Sequence, residues 1–132
     1  MARLPQQLRA LAASLALAAS AALAAGPPAA VRSEIERLLA HLGSSPCEFY
    51  RNGSWHRAAD AQAHLRRKYE YLADKGRIAT TEDFIAKGAT KSSTSGQAYQ
   101  VRCPGQAARP SAQWLQEALQ ELRRPAGEPQ TQ

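Results

Sequence analysis

The sequence predicts an α+β domain: about four helices packed on a small antiparallel sheet, made of a hairpin plus one strand, with one disulfide. Three observations lead there. Apolar residues recur at helical spacing in three segments bounded by Gly and Pro, and a capping signature opens a fourth. Asn52-Gly53 joins two short runs of strand character. The chain's two cysteines, Cys47 and Cys103, each lie at the end of such a run. A length of 132 residues fits one small domain and excludes a two-domain enzyme.

The N-terminal 25 residues differ from the rest. Arg3 and Arg9 precede an uncharged run over residues 10–25 holding ten Ala, four Leu and two Ser, followed by Gly26-Pro27-Pro28. This is the pattern of a Sec-type signal peptide, with cleavage expected after Ala24 or Ala25. The run is shorter than the ~20 residues of a membrane span, so no stable span is expected after cleavage. The expected organisation is a signal peptide over 1–25, one domain over 26–124 and a disordered tail over 125–132, the mature chain being periplasmic or secreted. Of 17 Lys+Arg and 11 Asp+Glu, two Arg lie in the leader, so the mature chain carries 15 − 11, or +4. Scattered arginines on an exported chain argue against nucleic acid as a partner.

The mature chain opens with Val31, Ile35, Leu38, Leu39 and Leu42 on one helical face, ending at Gly43. Residues 47–51 read as a strand, and Asn52-Gly53 as a type I′ turn, which needs positive φ at both centres; residues 54–57 form the return strand. A helix over 58–74 carries the stripe Ala58, Ala61, Leu65, Tyr69 and Leu72, with Gly76 as a left-handed stop. At 100° per residue Lys68 falls about 60° from the stripe centre and His64 about 100° from it, on one flank. Arg66-Arg67-Lys68 is read as a solvated basic face. The threonines before Glu82-Asp83 cap a short helix from Thr81 to Gly88. Residues 90–96 place five hydroxyl side chains in seven positions, a polar loop. Residues 99–103 alternate as a strand beside the first hairpin strand, and Ser111 is expected to cap a last helix with Trp114, Leu115, Ala118, Leu119 and Leu122 on its apolar face.

In an oxidising compartment two cysteines default to one bridge, Cys47 to Cys103. In the chain-entropy account a loop of that length stabilises by about 4 kcal/mol. No Cys-X-X-Cys suggests redox chemistry, and no His/Cys/Asp/Glu spacing suggests a metal or another cofactor.

The segment Cys47-Glu48-Phe49-Tyr50-Arg51-Asn52-Gly53, then Ala61, His64-Leu65, Lys68-Tyr69, the T-T-E-D-F-I run from Thr80 to Ile85, Ser92-Ser93-Thr94-Ser95-Gly96 with Tyr99, and Trp114-Leu115 occur in an order that resembles the YfeK-like family of small exported bacterial proteins. The likeness spans residues 35–122. It implies an exported protein with a signal peptide and brings no activity, ligand or catalytic residue.

Polar residues on turns and on a helix flank, which packing does not demand, mark the candidate binding surface. They are Arg51, Asn52, His64, Lys68, Ser92, Ser93, Ser95, Gly96 and Tyr99. Consecutive hydroxyls before a glycine can turn backbone N–H groups inward and hold an anion, although local Ser and Thr bonding explains such a loop without a ligand. The leading expectation is a non-enzymatic, monomeric module that binds an envelope protein or a small polar or anionic ligand. The alternative is an envelope hydrolase or transferase with a loop serine as nucleophile and His64 or Lys68 as base, which needs a serine Oγ within roughly 3.2 Å of one of those nitrogens.

Overall fold

The computed structural model describes Ala2 and residues 26–127. The expected leader, Ala2 apart, and the tail beyond residue 127 lie outside the described residues. The element order is α1 (Ala29–Gly43), β1 (Glu48–Arg51), β2 (Ser54–Arg57), α2 (Ala58–Asp74), α3 (Thr81–Gly88), β3 (Gln100–Arg102), β4 (Arg109–Pro110) and α4 (Ser111–Arg123). The strands form one antiparallel sheet in the order β2-β1-β3-β4, so the α+β architecture holds.

Helix α1 starts directly after Pro28 and buries Ile35, Leu38, Leu39 and Leu42. It crosses α2 so closely at its end that a Cβ on Gly43 would overlap the Gln62 side chain. The hairpin closes through Asn52 and Gly53 at φ 48° and 89°, both left-handed, as a type I′ turn requires. Gly76, at φ 67°, lets the chain leave α2. At α3, Asp83 N–H donates to Thr80 Oγ1 at 3.0 Å while the Thr80 N–H donates to the Asp83 carboxylate at 3.2 Å, a complete capping box.

Alternation along β1 divides the sheet into two faces. Phe49 and its register partner Val101 point into the core with Leu65, Phe84, Ile85 and Leu115, and Phe49 meets Trp114 edge to face at 5.6 Å. Tyr50, Trp55 and Arg102 lie on the opposite face, where the Arg102 guanidinium stacks 3.9 Å from the Trp55 ring. Glu48 pairs in register with Arg102, which places Cys47 and Cys103 just beyond paired strand ends, and they form a disulfide with Cα atoms 4.2 Å apart. Arg123 binds Glu34 of α1 at 2.7 Å and also Glu82 of α3, joining three helices at one end.

Three details differ from the sequence reading. The sheet gains a fourth strand, the two-residue β4, and α4 follows it without a cap. Ser111 is the first helical residue rather than the cap; its N–H donates to the Tyr99 carbonyl at 2.9 Å and its buried hydroxyl has no partner among the described residues. Sheet pairing runs straight into the helix, so the position that would have capped it is already inside.

Arg66-Arg67-Lys68 is not one solvated face either. Arg66 reaches α1 and pairs with the Glu36 carboxylate through two bonds of 2.8 Å, whereas Lys68 turns toward Tyr99.

Candidate functional site

Strand alternation and the α2 flank build the site. Arg51 lies two residues beyond Phe49 and therefore faces the helical layer, as do its partner Ser54 and then His56, which pairs with Phe49. Tyr99, two residues before Val101, takes the same side of the sheet from the third strand and is buried. Helix α2 runs back over this face and supplies His64 and Lys68 one turn apart. The serine loop closes the remaining side. Arg51, Asn52, His64, Lys68, Ser92, Ser93 and Tyr99 all border one recess of about 530 Å³, together with Ser54, His56 and Thr94.

The hairpin turn holds the loop in place. Asn52 donates through Nδ2 to Ser92 Oγ at 3.2 Å and accepts from Ser95 Oγ at 2.6 Å. Ser92, 4% exposed, also accepts from the backbone N–H groups of Thr94 and Ser95. Ser92 N–H donates to the Gln97 carbonyl at 2.9 Å, and Gly96 N–H to the Ser92 carbonyl at 3.0 Å, with Gly96 at φ 73°. The inward hydroxyl of Ser92 thus organises the loop. Ser93 is exposed at the recess rim, while Ser95 borders a neighbouring notch with Tyr50 and Gly53, on the other side of Asn52.

Tyr99 is the centre of the polar wall. Lys68 Nζ donates to its hydroxyl at 3.0 Å and to the Lys91 carbonyl at 3.0 Å, and lies 4.8 Å from the Tyr99 ring centroid. His64 Nε2 lies 3.1 Å from the same hydroxyl. An ammonium only donates, so the phenol oxygen accepts from Lys68 and directs its own proton to His64 Nε2, which assigns the ring proton to Nδ1. Electrostatics agree with a neutral ring: burial first, then the charges of Arg51, Lys68 and Arg67, lower the His64 pKa to about 4. Burial and the Arg51 charge also lower Lys68, and burial raises Tyr99.

The serines and the two nitrogens therefore have separate partners. Ser92 and Ser95 bond Asn52 and loop backbone; His64 and Lys68 meet on a phenol. No carboxylate among the described residues borders the recess. Lys68 bonds neutral oxygens, and the Arg51 guanidinium makes no hydrogen bond or ion pair among the described residues. Chemically the recess offers two cations, directed hydroxyl donors and a neutral imidazole.

Spacing could have indicated Ser54 and His56, since both share the inward face with Arg51 and Phe49. The pairing of Lys68 with Tyr99, by contrast, depends on where the third strand docks.

Comparison with curated proteins finds no match, and comparison with solved structures finds none. Over residues 29–123, from the first residue of α1 to the last of α4, the chain matches and belongs to the Family of unknown function (DUF5329).

Proposed function

We propose that this protein is an exported, monomeric binding module without catalytic activity, taking a small anionic or hydroxylated ligand, free or displayed on an envelope partner, in the recess between the hairpin, α2 and the serine loop. The observation that carries the reading is the charge arrangement: Arg51 and Lys68 border a recess whose lining, among the described residues, holds no carboxylate. Charge-assisted bonds from such groups are the strong ones, and low local dielectric at a half-buried ammonium increases their worth. The partners of Ser92 and Ser95 favour binding over the hydrolase reading, because their hydroxyls are engaged in holding the loop.

Export rests on the leader pattern of residues 1–25 and on the resemblance to the YfeK-like family. A disulfide and the absence, among the described residues, of a helix long and apolar enough to cross a membrane are compatible with it.

Calorimetric titration with phosphate and with a simple carboxylate such as citrate tests the reading. Binding should weaken as salt rises, and the anion should raise the thermal midpoint by mass action. Arg51→Glu and Lys68→Glu should each abolish binding while circular dichroism stays unchanged. Unchanged anion affinity in both variants would overturn the proposal.

A further inference from the structure

Helix α2 carries a second basic surface, directly continuous with the recess. A groove of about 740 Å³ runs between α2 and α3 and shares His64, Lys68 and Ser93 with the recess. Its walls carry Arg67, Arg77, Lys87 and Lys91 as well as Lys68, and again no carboxylate among the described residues. Lys87 is partly engaged: its ammonium donates to the Arg77 carbonyl at 2.8 Å and lies 3.8 Å from Asp83. The Arg67 and Arg77 side chains are exposed, without a hydrogen bond or ion pair among the described residues.

One further residue gives the groove a chemical character beyond charge. Tyr71, 57% exposed, is the one large hydrophobic residue left open among the described residues, and it stands in this groove, with Lys75 5.7 Å from its ring centroid. His64, Lys68 and Tyr71 occupy successive turns, and Leu72 ends the wall, so the groove follows α2 for about 12 Å at 1.5 Å per residue. A small anion fills only one end of such a track.

We propose that recess and groove form one extended site for an acidic oligosaccharide. Cations at intervals suit the carboxylates of successive sugar units, the rim hydroxyls of Ser93 and Thr94 suit sugar hydroxyls, and the open Tyr71 ring offers a flat apolar face to a sugar ring. An acidic peptide would use the charges and leave the ring and the hydroxyls without a role. A membrane surface would favour a protruding cationic face, whereas these cations line a concavity. The inference rests on the recess reading and extends its ligand from a single anion to a chain.

Titration of the purified protein with monomeric glucuronate, a long oligouronate, polyglutamate of matched charge, and vesicles rich in anionic lipid separates the cases. The long oligouronate should bind about tenfold or more tighter than the monomer, the effect of one or more added charge-assisted contacts. Arg77→Glu should erase that gain and leave glucuronate binding intact, with Arg77→Gln giving a smaller loss. Tyr71→Ala should weaken the oligouronate and leave polyglutamate unchanged. Equal affinity for monomer and long chain, a gain insensitive to both Arg77 variants, or stronger binding to polyglutamate or vesicles would overturn the extended site. Loss of length dependence while glucuronate still binds in an Arg51-dependent way leaves the recess reading standing. Glucuronate binding unaffected by Arg51→Glu removes the recess reading, and the extended site with it.

Discussion

His64 illustrates what one residue's surroundings do to its chemistry. Its ring is held neutral between a phenol proton and several positive neighbours, with a folded pKa of about 4 against an ordinary 6.5. Between those values the unfolded chain binds more protons than the folded one, so stability is complete above about pH 6.5 and declines as pH falls toward 4. His64→Asn should flatten that part of the curve of urea midpoint against pH. The carboxylates act lower: the Arg123 hydrogen bond holds Glu34 at about 2, so its contribution is present above 4.5 and fades as pH falls toward 2. A His64→Asn curve identical to the wild type between pH 4 and 6.5 would refute the assignment of the neutral ring. At this scale the sequence was informative about position and silent about partners. The helix wheel puts His64 and Lys68 on one flank of α2, but the phenol between them comes from a segment more than 30 positions on.

Elements were legible where a local rule sets them. The hairpin, α2 and α3 each carry their own start or stop: Asn52-Gly53, Gly76, and the Thr80-Asp83 box. Gly53 sits at φ 89°, where a β-branched side chain is strained, so Gly53→Val should destabilise by more than about 1 kcal/mol, read as a lowered denaturation midpoint. An unchanged midpoint would mean that the turn tolerates another geometry. What escaped sequence reasoning has equally physical causes. Strand β4 has two residues, one of them proline, and no periodicity can register in so short a span. The basic triplet misleads because neighbouring helical residues diverge by about 100°. Arg66 goes to Glu36 on α1, Arg67 to the open groove, and Lys68 to Tyr99. The serine loop was readable as a turn; its attachment to Asn52 was not, because two loops 40 positions apart meet only once the sheet is formed.

For the whole molecule the Cys47–Cys103 bridge ties the two ends of most of the fold together. It lies just beyond the ends of the two central strands, β1 and β3, and closes a loop with a sequence separation of 56 that holds both of them with β2, α2, α3 and the serine loop. Reduction, or Cys47→Ala with Cys103→Ala, should cost about 4 kcal/mol if the chain-entropy account holds, read from urea midpoints of oxidised and reduced protein. A midpoint indifferent to reduction would place the stability in the helical core alone.

The same closed loop changes what a cut in the chain means. Residues 93–98 are exposed, the kind of loop tip a protease reaches first. A nick there falls inside the ring, so the two pieces stay joined through sulfur, with β1 and β3 still side by side. The nicked protein would run as one species until a reductant is added, and then as two. A damaged copy would therefore keep both pieces, heavier by one water, and much of its shape while its serine loop is open.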